Sequence, residues 1–363
     1  MSSPVLPLDD RRPGPAGNDR PPIGGFFELD LGVHPGNWQA ASVSIKSLWF
    51  DGELSVLAFR TGRSAFRHLL ANLPARTAFL PSYLCRAMAM VAQDSGWQVR
   101  FYELNEDLSP ALGGLAMAEV GDLVLAVDYF GRPPNAAFRR FAEARPDIVW
   151  VEDRAQALLP AAEPWGAFVL YSPRKLCGVP DGGYLVARSK VIRPPDLAPP
   201  AFPVPLLAPA LLRFEDPAGC DNDRWYAAYR AAEDAMPTAA VAPTRLTGEL
   251  LGRLDAVAFA TRRRENYAAL AGLLPGRSLW GGSTPDWVPQ FFPLATERAG
   301  AIASELARQR IFCPRLWPEL AQAASAQARH LAAHLLFLPC DHRYSPSDMV
   351  SVAAAFAGAS KGA

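Results

Sequence analysis

The sequence predicts an α/β protein, with a large unit built on a mostly parallel sheet covered by helices and a smaller C-terminal α/β unit. Short apolar runs at 77–80, 98–102, 123–127, 148–151, 167–171 and 184–187 alternate with helical stretches at 86–95 and 136–144. Runs of this kind separated by helices are what a sheet with both faces covered requires. The alternation starts again near Trp287, with strand-like runs at 288–294 and 335–338. At 363 residues the chain is long for one core, so two units are expected. We place a tail at 1–22, an N-terminal arm at 23–50, a large unit at 51–245 and a small unit at 246–363.

Composition narrows the function classes. Half of the residues are apolar and a fifth are charged, as in a globular chain. The 36 basic and 36 acidic residues cancel, so nothing global calls for nucleic acid or an anionic membrane as partner. No apolar run reaches the roughly 18–20 residues that span a bilayer, and the N-terminus lacks the apolar core of a signal peptide. Five scattered cysteines, none in C-x-x-C spacing, point to reduced thiols in a cytoplasmic protein rather than a disulfide framework or a zinc site.

Taken in order, 1–22 is rich in Pro, Gly, Asp and Arg without periodicity, and a loosely held tail is expected. Residues 24–31 alternate like a strand, and 42–50 form a weaker extended candidate. Thr61 or Ser64 caps a helix whose apolar face includes Ala65, Phe66, Leu69 and Leu70. A glycine and a hydroxyl at a helix start also make a phosphate cradle, because free backbone N–H groups and the helix dipole face the anion. After the 184–187 strand, a proline-rich stretch at 193–221 is expected to run over the surface. Residues 224–235 read as a helix, and 247–274 as one long helix with Arg262, Arg263 and Arg264 on a solvated face. Helices at 298–308, 321–333 and 347–357 and an extended piece at 311–317 complete the chain.

The most informative stretch is 147–183. One buried run ends at Glu152-Asp153 and the next at Ser172-Pro173-Arg174-Lys175. Two buried strands would bring Asp153 and Lys175 to the same edge of the sheet, and in open α/β sheets that carboxyl edge is where ligands bind. A lysine that forms a Schiff base and a carboxylate that pairs with a protonated pyridine nitrogen are what bound pyridoxal 5'-phosphate needs. Two rival motifs fail. Ser172-x-x-Lys175 matches a penicillin-binding signature, but Pro173, Gly178 and Pro180 break the helix it needs, and its companion motifs are absent. His330 and His334 have zincin spacing, but Leu331 stands where the general-base glutamate belongs, so no metal is expected.

With these residues in view, the chain from about residue 54 onward resembles the DegT/DnrJ/EryC1/StrS sugar aminotransferases. The resemblance rests on Gly62-Arg63-Ser64-Ala65, Pro81-Ser82-Tyr83, Tyr129-Phe130-Gly131-Arg132-Pro133, Glu152-Asp153-Arg154-Ala155-Gln156, and Ser172-Pro173-Arg174-Lys175 ahead of Asp181-Gly182-Gly183. Leu338-Pro339-Cys340-Asp341 and the last helix extend it to the C-terminus. It implies a pyridoxal phosphate enzyme of the aspartate aminotransferase fold type I, working as a cytoplasmic homodimer. The substrates implied are a nucleotide-linked keto sugar and glutamate as amino donor, in the synthesis of a surface polysaccharide or a glycosylated metabolite. Lys175 would hold the cofactor and move the proton. Asp153 would pair with the ring nitrogen, Gln156 would hydrogen-bond the phenolic oxygen, and Tyr83 would stack on the ring. Gly62, Arg63 and Ser172, with Ser64 as a further candidate, would hold the phosphate.

The chain departs from that pattern where the family carries an Asn-x-Arg element from a neighbouring subunit. Residues 236–246 here read MPTAAVAPTRL, leaving Arg245 and the threonines. The alternative reading is therefore an altered relative, a sugar-nucleotide binder or a dehydratase-like enzyme, without transamination. Lys175 argues against the dehydratase form, in which histidine replaces the lysine.

Overall fold

The computed structural model describes residues 21–31, 43–50, 52–53, 55–160, 165–189, 191–199, 205–281, 285–323 and 325–362. All but the last two residues of the expected tail lie outside this set, as does Ser42. The strands are β1 (Ile23–Gly24), β2 (Ser55–Phe59), β3 (Thr77–Pro81), β4 (Gln98–Tyr102), β5 (Leu123–Val127), β6 (Val149–Asp153), β7 (Phe168–Tyr171), β8 (Gly183–Ala187), β9 (Phe291–Ala295), β10 (Ile311–Phe312) and β11 (Leu335–Pro339).

A seven-stranded sheet has the order β2-β8-β7-β6-β5-β3-β4. From β7 through β6, β5 and β3 to β4 the neighbours run parallel, while β8 is antiparallel to both β7 and β2. Every residue of β5, β7 and β8 is buried, which explains their unbroken apolar sequences. Helices Gly62–Ala71 and Arg86–Asp94 turn Phe66, Leu69, Leu70, Met88 and Val91 into the main core with the sheet. In the C-terminal part β9 and β11 pair antiparallel. Their core joins Leu336 and Leu338 to Leu270, Leu306, Met349 and Val352 from three helices.

Five expectations are corrected. The alternation at 24–31 yields only the two residues of β1, paired with β10. Gly24 and Gly25 take positive φ (88° and 74°), which turns the chain out of the strand. The extended candidate at 42–50 is instead a helix, Ile45–Phe50, whose first turn is held by the Ser47 N–H donating to the Ser44 hydroxyl at 3.1 Å. The long helix is two, Arg245–Leu251 and Ala256–Leu273, because Asp255 caps the second by accepting from the Val257 and Ala258 N–H groups, each at 3.0 Å. Arg263 in that helix is wholly buried, not solvated. The proline-rich stretch also contains a helix, Leu207–Phe214.

Candidate active site

A cavity of about 1000 Å³ opens along the carboxyl ends of β5, β6 and β7, where Val127, Asp153, Leu170, Tyr171 and Ser172 line it. Its first wall is built by backbone hydrogen bonding. Asp153 is the last residue of β6 and pairs in register with Leu170 of β7. Lys175 ends a 3₁₀ turn, Pro173–Lys175, that begins directly after β7, with its N–H on the Ser172 carbonyl at 3.1 Å. Both side chains line the cavity.

Beside them starts helix Gly62–Ala71. Thr61 caps it by accepting from the Ser64 N–H at 3.0 Å. A Cβ added at Gly62 would lie 3.8 Å from the Ser172 Cβ, so helix N-terminus and serine face one another. β8 comes equally close: a Cβ at Gly183 would sit 2.0 Å from the Thr61 carbonyl carbon, so only glycine fits. Asp181 fixes the same turn from within, accepting from the Thr244 N–H and from the Thr244 and Thr247 hydroxyls.

Asp153 is buried, and its carboxylate accepts from the Ala155 N–H at 3.0 Å. Burial pushes its pKa above the ordinary value, against the opposing pull of Lys175 and that N–H. Under it lies a buried charge cluster. Glu152 takes Arg154 at 3.2 Å and Arg188 at 2.6 Å, and Arg154 also pairs with Asp128. Burial pushes Asp128 up to about 8 despite Arg154. Gln156 lines the cavity, and its Oε1 accepts from the Phe130 N–H at 2.9 Å. The amide is thereby oriented, and its NH₂ is the remaining donor.

Of the residues expected from sequence, Gly62, Arg63, Asp153, Gln156, Ser172 and Lys175 line this one cavity. Ser64 does not reach it. Its hydroxyl is tied to Thr61 at 2.9 Å and to the Pro237 carbonyl at 3.4 Å. The Tyr83 ring is fully buried behind the wall, packed edge-on against Trp317 with centroids 4.7 Å apart. Burial, with some help from Glu319, pushes its phenol well above the ordinary range. Trp317, held in a left-handed conformation at φ 51°, lines the cavity where Tyr83 does not.

The second wall comes from segments far apart in sequence: Gly25–Phe27, helix Asn222–Asp234, Arg263, Gln290, Cys313–Trp317 and Asp341. Aromatic contacts join the first two. Phe26 stacks on Tyr229 at 4.3 Å and meets Trp225 edge-on at 5.3 Å. Ion pairs tie the arm to the C-terminal part. Glu28 takes Arg213 at 3.0 Å and Arg343 at 2.9 Å, and Arg343 also chelates Asp341 at 2.8 and 2.9 Å. Arg263 donates to the Leu176 carbonyl at 2.6 Å and the Pro289 carbonyl at 3.2 Å. Gln290 donates to the Lys175 carbonyl at 3.1 Å. The sequence marks none of these as a site residue: Asp341 falls in the Leu338-Pro339-Cys340-Asp341 motif without a role, Arg263 reads as solvated, and no local motif marks the others.

A pyridoxal phosphate fits this donor set. The helix start at Gly62 and Arg63 faces Ser172 for an anion, and a protonated ring nitrogen would give Asp153 the counter-charge that burial makes favourable.

Neither a protein-family profile nor a curated protein sequence matches the chain. Solved structures do. The S. venezuelae protein DesV, in complex with a ketimine intermediate, is 18% identical with TM-score 0.63, covering 87% of this chain and 88% of its own. A DegT DnrJ EryC1 StrS aminotransferase from Brucella abortus is 14% identical with TM-score 0.60, over 86% and 88% of the two chains. Helicobacter pylori PseC, an aminotransferase involved in the biosynthesis of pseudoaminic acid, is 12% identical with TM-score 0.64, over 94% and 99%. Other matching structures are described in a PLP form or a PMP form, or with bound PMP. Over most of its length the chain thus shares the fold of the DegT/DnrJ/EryC1/StrS sugar aminotransferases, a pyridoxal phosphate fold type I architecture.

Proposed function

We propose that the protein is a pyridoxal phosphate-dependent aminotransferase that transfers an amino group from glutamate to a nucleotide-linked keto sugar. The observation that carries the reading is the convergence of Asp153 and Lys175 from neighbouring strand ends on one cavity, beside the N-terminus of helix Gly62–Ala71 and Ser172. The likeness to sugar aminotransferases supports the substrate class. A cytoplasmic homodimer belongs to the same reading.

Bound pyridoxal phosphate supplies an electron sink for a carbanion next to nitrogen. The rest of the chemistry falls to the protein. Lys175 would hold the cofactor through its amine and, with that amine free, would move the proton from its Nζ. Asp153 keeps a positive charge on the ring nitrogen favourable, because a buried carboxylate gains from a cation within contact. Gln156 offers its NH₂ to the phenolic oxygen, since its Oε1 already accepts from Phe130. Gly62, Arg63 and Ser172 would hold the phosphate through N–H, guanidinium and hydroxyl donors.

The test is spectroscopic. Protein supplied with pyridoxal phosphate should gain an absorbance band near ~420 nm, and borohydride should fix the cofactor to Lys175. In a separate sample that has not met borohydride, adding glutamate should bleach the band. No band would sink the reading. A band that glutamate leaves untouched would favour the altered relative without transamination.

A further inference from the structure

One acid in the cavity has no part in the chemistry proposed above. Glu233 lies at the end of helix Asn222–Asp234; its Oε2 accepts from Arg174 Nη1 at 2.9 Å, and its Oε1 lies 2.9 Å from Nη2 as an ion pair. The Tyr229 hydroxyl donates to it from one turn earlier at 3.4 Å. Burial opposes the charge, but Arg174, then Arg63 and Lys175, hold the Glu233 pKa below its ordinary value. Arg174 thus contacts the carboxylate directly, and Arg63 and Lys175 share the cavity with it. All of them line the cavity beside Gly62 and Ser172. The buried Arg174 Nε has no hydrogen-bond partner among the described residues, so that guanidinium keeps a donor in reserve.

We propose that Glu233 is a resident anion of the Arg63–Arg174–Lys175 corner, and that a phosphate-bearing ligand must displace it, so that cofactor loading is coupled to release of helix Asn222–Asp234. The proposal rests on the pyridoxal phosphate reading above. Its physical basis is like-charge exclusion. A dianion cradled at Gly62 and Ser172 repels a carboxylate in the same corner and competes with it for Arg174. The consequence reaches the second wall, because the same helix carries Trp225 and Tyr229, whose rings hold Phe26 of the arm. Just beyond the helix, the Pro237 carbonyl accepts from the Thr61 hydroxyl at 3.1 Å and anchors the chain to the cradle. The helix thus has a fixed point about which to move.

The test compares wild type with Glu233→Gln, which keeps the size and removes the charge. Each apoprotein is titrated with pyridoxal phosphate and with pyridoxal, which lacks the phosphate. Glu233→Gln should bind pyridoxal phosphate about tenfold more tightly or better and pyridoxal within about twofold of wild type. Unchanged or weaker pyridoxal phosphate binding overturns the proposal. So does an equal gain for both ligands, which would mean that Glu233 acts through Lys175 and not on the phosphate. A readout that needs no folded variant at 233 is tryptophan emission of wild-type apoprotein as inorganic phosphate is added. It should shift, and the shift should be lost in Trp225→Phe. No shift in wild type overturns the coupling to the helix. If neither protein binds pyridoxal phosphate or pyridoxal, the functional reading falls, and the proposal with it. Binding without the phosphate-specific gain sinks the proposal alone.

Discussion

The two walls of the cavity are held by different forces. On the first, Asp153, Ser172 and Lys175 stand where β6 and β7 end, and Gly62 and Arg63 where a helix begins. Their positions follow from backbone ladders and caps, which any solvent of moderate pH leaves intact. On the second, the arm at Phe26–Glu28, Arg213, Arg263 and the 341–343 turn meet through side-chain charges and stacked rings in a buried place. Substitutions in the first wall should therefore change chemistry and spare the fold. Substitutions or acid in the second should change the fold first.

The largest effect is expected from Lys175→Ala. It should abolish transamination, a loss of about 10³-fold or more, with an unchanged circular dichroism melt. Asp153→Asn should follow with a loss of about 10²-fold, since the ring nitrogen would lose its counter-charge. A melt that collapses in either variant would erase the contrast between the walls.

On the opposite wall Asp341→Ala should lower the unfolding free energy by about 4 kcal/mol in a urea titration, because it leaves the buried Arg343 with Glu28 as its remaining carboxylate partner. A change under about 1 kcal/mol would mean that the cluster does not hold the arm.

The fourth expectation concerns pH. His342 lies between the rings of Phe259 and Phe27, at 3.5 Å and 5.6 Å. Burial, and Arg263 nearby, lower its pKa to about 4 from an ordinary 6.5, although Asp30 and Asp341 pull the other way. The unfolded chain then binds a proton that the folded chain refuses between these values, so stability falls as pH drops from 6.5 to 4. The loss is about 3 kcal/mol at its limit. Urea midpoints across that range should show the slope, and His342→Phe should flatten it. An unaltered slope in the variant would assign the titration elsewhere.

The smallest effect is expected at Arg245. Its side chain is 92% exposed, 3.7 Å from Glu249 on the same helix. Arg245→Ala should cost less than about 0.5 kcal/mol in the monomeric chain. A larger loss of stability that depends on protein concentration would place this arginine at a contact between copies.

The sequence by itself determined the strand–helix alternation, five parallel strands in register, and the delivery of Asp153 and Lys175 to one edge. It also placed a helix cap at Thr61 or Ser64, of which Thr61 forms. These are local properties: apolar runs, caps and turn residues act over a few positions, and the parallel topology does the rest. Alternation misled at 24–31, where two glycines at positive φ end the strand after two residues. Periodicity misled at 247–274, where Asp255 starts a new helix. Only the tertiary structure decided that Arg263 is buried, that Tyr83 lies behind Trp317, and that Glu233 sits against Arg174 beside the lysine. Each of those depends on partners dozens of residues away or more. The burial of a charge is fixed by what packs around it, and no window of sequence contains that information.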